Sequence, residues 1–200
     1  MAQFERIEVN NKIGYKDKSG NIVIEPKYDE GQLFFGSLFS EDIVSYASVL
    51  KDGKTGVIDQ YGNVIIPFIY EEAYHLTDNL FAVRKKTEGN DWSFGVIDNQ
   101  GTIIIPFEYK FIRNAHHFIQ CFVGAHSKRK YSHCNMDTDG HIYEYSFKED
   151  EVWFNSKGEQ VYRGEGVTSS HDYLIVKENN KLGVIDSTGN YMIQCIWKEK

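Results

Sequence analysis

Gly56–Tyr70 reads GVIDQYGNVIIPFIY, and the same frame returns as Gly14–Tyr28 (GYKDKSGNIVIEPKY), Gly95–Tyr109 (GVIDNQGTIIIPFEY) and Gly183–Trp197 (GVIDSTGNYMIQCIW). The frame is Gly, two residues, Asp, two residues, Gly, and an aromatic eight residues later. Cys134–Tyr145 is a weaker copy that keeps Asp137 and Gly140, and Val152–Tyr162 a weaker one still, with Asn155 and Gly158. The turn glycines therefore fall at 20, 62, 101, 140, 158 and 189. Three steps run near 40 residues, and the period then breaks in an irregular unit over about 126–165. A repeat of this length decides the architecture, because one unit cannot bury its own face and must stack on its neighbours.

Asp opening a tight turn bonds the backbone ahead of it, and Gly three residues on accepts a left-handed conformation. Gly56-Val57-Ile58 before the turn and Val64-Ile65-Ile66 after it suit antiparallel strands. A further strand precedes them, as Ala47–Leu50, Phe81–Val83 and Tyr173–Val176. Short polar turns, Lys51–Lys54 and Lys177–Asn180, lead from it into the frame. Pro26, Pro67 and Pro106 mark the ends of the last strands, where a missing N–H is tolerated. Tyr70–Leu76 reads as one helical turn or a loop, and no long stretch repeats at 3.6 residues. The expectation is an all-β, single-domain chain over residues 1–200, a repeat array of antiparallel β-meanders with a period near 40 residues. It is propeller-like or an open curved stack. In a closed ring, the strand within Phe4–Gly14 would complete the last unit.

The Gly-aromatic-Ile-Asp frame, the turn Gly, the Ile-x-Pro ending and the following Tyr resemble the bacterial WG-containing repeat, also called the KWG repeat. The chain departs from it at the residue before the first Gly, where Ile13, Thr55, Phe94 and Leu182 stand in place of Trp. The resemblance implies a bacterial β-repeat scaffold that offers a binding surface, and it implies no particular chemistry.

Composition narrows the function classes. Lys plus Arg number 22 against 29 Asp plus Glu, a net charge of −7, which opposes a general phosphate-backbone binder and makes nucleic acid an unexpected partner. Mean hydropathy is −0.47, no run reaches the length of a membrane helix, and Met1–Lys12 lacks a signal peptide's apolar core. Three scattered cysteines make poor material for a disulfide framework. A cytoplasmic protein with no membrane association is expected.

The motifs that invite chemistry have structural readings. Asn135–Gly140 mimics the opening of a calcium loop, but position twelve is Ser146 and the closing Glu is missing. His116, His117, Cys121, His126, His133, Cys134 and His141 crowd together, yet match no common zinc spacing, so no metal or other cofactor is expected. Tyr28, Tyr70, Tyr109 and Trp197 share one repeat position and read as packing between units. Adjacent Glu71-Glu72 lacks the geometry of a catalytic pair. No nucleophile elbow, zinc helix, Walker loop or dinucleotide fingerprint occurs, so no catalytic residue can be named and the balance falls against an enzyme. The binding candidates are Lys128, Arg129, Lys130, Tyr131 and His133, a basic run interleaved with an aromatic, and Trp92 at the end of the Lys85–Trp92 departure from the repeat. The reading is a non-enzymatic module that binds another protein, in one form an inhibitor or immunity-type protein. The alternative is a small-molecule, carbohydrate or nucleotide binder, or a hydrolase, with an aromatic-lined mouth.

Overall fold

The computed structural model describes residues 4–34, 45–89, 91–123, 134–136, 142–144, 151–170 and 172–198. Every regular element among them is a strand. Contacts divide the chain into two bodies, Met1–Phe107 and Glu108–Lys200.

The first body holds three sheets. The first is β1 (Phe4–Val9), β2 (Lys12–Asp17) and β3 (Ile22–Tyr28), in that order. The second is β4 (Glu30–Gly31), β5 (Tyr46–Lys51), β6 (Lys54–Asp59) and β7 (Val64–Tyr70). The third is β8 (Glu72–Thr77), β9 (Leu80–Lys86), β10 (Trp92–Asp98) and β11 (Ile103–Tyr109).

In the second body, β12 (Phe111–Ala115) and β13 (Phe118–Phe122) share the fourth sheet with β16 (Glu151–Asn155) and β17 (Gln160–Arg163). Between β13 and β16 sits a separate hairpin of β14 (Cys134–Met136) and β15 (Ile142–Glu144). The fifth sheet is β18 (Glu165–Ser169), β19 (Tyr173–Glu178), β20 (Lys181–Asp186) and β21 (Tyr191–Lys198).

The first sheet has three strands and the other repeat sheets four, and the pairing corrects two expectations. The segment read as a helical turn or loop, Tyr70–Leu76, instead supplies β8, which pairs antiparallel with β9 from Glu72 opposite Arg84 to Thr77 opposite Leu80. The fifth sheet already has four strands, and β1 pairs with β2 of its own sheet from Phe4 opposite Asp17 to Val9 opposite Lys12, so β1 does not complete the last unit. The true fourth turn is Asn155–Gly158, which joins β16 to β17. The break in period is an insertion at a hairpin tip, and Asp137 and Gly140 lie outside the described residues.

The turns obey the expected chemistry. One side-chain oxygen of Asp17, Asp59, Asp98, Asn155 and Asp186 accepts two backbone N–H groups ahead of it at 2.8 to 3.0 Å. The glycine N–H closes each turn at 3.0 to 3.1 Å, with φ between 80° and 88°.

The first glycine of the frame has a different reason. Ile13 faces Tyr28 and Tyr15 faces Ile24, so a short stretch of β2 spans a longer one of β3, and β3 bulges. The same shift occurs in β6–β7 and β20–β21. The bulge folds the outer strand over the glycine. A Cβ on Gly14 would lie 2.5 Å from the Ile24 carbonyl, on Gly56 2.7 Å from that of Ile66, on Gly95 2.9 Å from that of Ile105, and on Gly183 2.6 Å from Cys195 Sγ. Pro26, Pro67 and Pro106 therefore lie within the outer strands, in the bulge region, rather than at the strand ends.

Successive sheets in each body pack face to face. Phe4, Ile13, Tyr15, Ile24 and Tyr28 of the first sheet meet Phe34, Ala47, Val49 and Ile58. Val57 and Ile66 of the second sheet, with Tyr46 and Tyr70, meet Ala73, Phe81, Val83 and Ile97 of the third. Phe118 and Trp153 meet Leu174, Val176 and Ile185 in the second body. Each such fully buried side chain contributes about 1.5–3 kcal/mol over its exposed state. Tyr28 and Tyr70 serve this packing, Tyr28 stacking on Phe68 at 5.9 Å; within the second body, whose boundary falls inside β11, Tyr109 meets Phe154 edge-on at 6.0 Å.

Candidate functional site

The hairpin that joins the two central strands of a sheet varies from repeat to repeat. Asn10-Asn11, Asp52-Gly53 and Asn179-Asn180 are tight two-residue turns, with both residues at positive φ. In the third sheet Lys86 faces Trp92, so residues 87–91 form a longer tip, closed by Thr87 N–H on the Asp91 carbonyl at 2.9 Å. In the fourth sheet Phe122 faces Glu151, and the tip expands to residues 123–150. The Lys85–Trp92 departure singled out in the sequence therefore falls at this hairpin, and the chain between Phe122 and Glu151, which contains the basic run, follows from the same hairpin of the fourth sheet.

Trp92 is the candidate whose surroundings are visible. The Arg84 guanidinium lies 5.5 Å from its ring and 5.7 Å from that of Phe94, and Lys86 Nζ lies 5.1 Å from Trp92. Lys85 Nζ sits 4.0 Å over Phe107. With Lys54, Ile69 and Glu71 of the second sheet and its turn, Lys85, Lys86 and Trp92 line a cleft of about 330 Å³. Lys54 pairs with Glu71, and Arg84 pairs with Glu72 at 2.6 Å. Three lysines and one carboxylate, Glu71, thus line this cleft. Lys128, Arg129, Lys130, Tyr131 and His133 lie outside the described residues.

A second cleft, of about 360 Å³, opens between the second and third sheets. Gln32, Tyr46, Ser48 and Thr55 line one side, and Glu72, Ala73, Tyr74 and His75 the other. A short side chain, Thr55, borders it, above the fully buried Val57. Thr55 occupies the repeat position of Ile13 and Phe94, each 3% exposed, and Val57 occupies that of Tyr15, which is fully buried. The Thr55 hydroxyl donates to the Glu71 carbonyl at 3.0 Å. His75 rests against Tyr46 at 4.7 Å and Phe81 at 5.4 Å, and its Nε2–H donates to the Asp78 carbonyl at 2.8 Å. Burial holds the His75 pKa below its ordinary value, so the ring is neutral at pH 7 and Nδ1 is left as an acceptor. This cleft was not anticipated from the sequence, although Thr55 among larger apolar residues at one repeat position was a signal for it.

Among the described residues no cluster of three His, Cys, Asp or Glu side chains could hold a metal, and no helix is long and apolar enough to cross a membrane. His116 contacts Ser169 Oγ at 3.3 Å, and Cys121 is fully buried, its thiol pKa pushed up by burial.

No curated protein matches the chain. The family model of the WG containing repeat matches residues 13–54, 56–86 and 94–116. Those stretches carry the bulge-covered glycines Gly14, Gly56 and Gly95, the Asp–Gly turns and the outer-strand prolines described above. Through these three repeats the chain belongs to the WG-containing repeat family.

Proposed function

We propose that this WG-repeat domain is a non-enzymatic binding module that holds an acidic segment of another protein at the β9–β10 hairpin. The observation that carries the reading is the tip itself, where a tight turn of the sibling repeats is replaced by a longer connection beside Lys54, Lys85, Lys86 and Trp92. Cations and a half-buried aromatic ring around one cleft suit carboxylates flanking an apolar or aromatic side chain. Loops set on a rigid scaffold are where such recognition concentrates.

The test replaces residues 87–91 by Asn-Gly, the turn chemistry of the sibling hairpins, and compares capture of a stoichiometric partner from native-source lysate at low and moderate salt. Loss of the partner on trimming, and its weakening with salt in the parent protein, is the expected result. Retention by the trimmed protein overturns the reading. A second reading, an inhibitor or immunity-type role in which the net acidic surface covers a basic partner, is supported by the charge of −7. Lys54→Glu with Lys85→Glu and Lys86→Glu separates the two partner charges, since it weakens an acidic partner and strengthens a basic one.

A further inference from the structure

We propose that the cleft between the second and third sheets binds a neutral cyclic polyol, a single sugar or cyclitol ring. The inference does not rest on the hairpin reading, since Trp92 and the lysines line the other cleft.

Three observations carry it. The first is that the space is specific to this interface. Ile13, Tyr15 and Phe34 fill the equivalent contact between the first and second sheets, with Phe34 5.3 Å from Phe4 and 4.8 Å from Tyr15, whereas Thr55, in the place of Ile13, borders a volume at the lower end of small-ligand sites.

The second is the lining. Neither the Ser48 hydroxyl nor the Gln32 side-chain amide makes a hydrogen bond to another described residue, although both border the cleft. Thr55 Oγ1 keeps an acceptor lone pair after donating to Glu71, His75 keeps Nδ1, and Glu72 offers carboxylate oxygen. A mixture of donors and acceptors around an aromatic wall, here Tyr46, is what adjacent hydroxyls on a ring with C–H faces require.

The third is charge. The one carboxylate, Glu72, is balanced by Arg84 at 2.6 Å, and His75 is neutral. An anionic ligand would find no free cation among the lining residues, and a cationic one would compete with Arg84 for the carboxylate.

The experiment is saturation-transfer NMR on the intact chain with glucose, galactose, N-acetylglucosamine and myo-inositol, singly and in competition with inorganic phosphate and ATP. At least one polyol is expected to receive saturation, undiminished by phosphate or ATP. Thr55→Ile, which installs the first sheet's residue, is expected to abolish transfer without lowering the thermal midpoint. Ser48→Ala is expected to weaken binding about fivefold, as loss of one neutral hydrogen bond does, and it decides the matter if Thr55→Ile impairs folding. No transfer to any polyol, an affinity unchanged by both substitutions, or displacement by phosphate or ATP overturns the proposal.

Discussion

The first body contains the same sheet-on-sheet contact twice, and the two copies differ. Between the first and second sheets, Phe4, Tyr15 and Phe34 interlock, and the Tyr15 hydroxyl donates to the Gln32 carbonyl at 2.7 Å. Between the second and third, Tyr46 holds the place of Phe4 and Val57 that of Tyr15, and a cleft remains. The Asp and the two glycines hold the same places in both, and each outer strand carries a proline. The repeat frame thus fixes the turn and the bulge within a sheet, while the residues between frame positions decide whether neighbouring sheets close on each other or leave room.

Making the filled contact resemble the open one should have the largest effect. Tyr15→Val removes a fully buried ring and its hydrogen bond, and should cost about 3 kcal/mol, read as a fall in the urea midpoint. A loss below about 1 kcal/mol would mean the two contacts are energetically alike. The frame glycines come next. At Gly14 the nearest atoms to an added Cβ are all backbone, at 2.5, 2.7 and 2.9 Å, whereas at Gly56 two of the three belong to the Phe68 ring. Gly14→Ala should therefore cost about 2 kcal/mol and Gly56→Ala less, because a ring can turn aside and a carbonyl cannot. Equal losses would break that ordering. Thr55→Ile, which closes the open contact, should stabilise by about 1 kcal/mol through the apolar area it buries, and a lower thermal midpoint would show the cleft to be too narrow for it.

The smallest effect lies in the pH profile. Hydrogen bonds from the Asn21 side chain and backbone hold the Asp17 carboxyl below its ordinary pKa, and the Thr102 and Gln100 backbone N–H groups do so for Asp98. A carboxylate lowered in the folded state contributes stability that is complete above its unfolded pKa, near 3.9, and is lost as pH falls through the folded value. Asn155 shows that the amide makes the same turn. Asp17→Asn and Asp98→Asn should keep the fold at neutral pH and flatten the loss of stability below about pH 4. An unchanged acid profile in both variants would remove these turns as its source.

How much of this was readable beforehand depends on the range of the interaction. The Asp–Gly turns were legible because donor and acceptor sit within four residues, and the side-chain geometry is local. β8 was not, since Glu72–Thr77 becomes a strand only by pairing with β9, and Tyr70–Leu76 carries no simple alternation that announces it. The frame glycine was visible as a recurrence, but its cause, the outer strand folded over it, needs a register shift that spacing does not encode. Trp92 stood out because the tip departs from its siblings. The neutral cleft did not, because it lies where side chains do not meet across two sheets, and a missing contact leaves little trace in a sequence.

The bulged outer strand has a consequence for crowded solutions. In β3, β7 and β11 the proline offers no N–H, so a strand from another molecule that tried to extend the ladder would meet a kink and a missing donor. β21 carries no proline and exposes Met192, Ile193 and Ile196 at 63%, 44% and 64%. Three of the four long outer strands are thus guarded against fibrous or edge-to-edge assembly, and self-association on concentration or ageing should begin at the fourth.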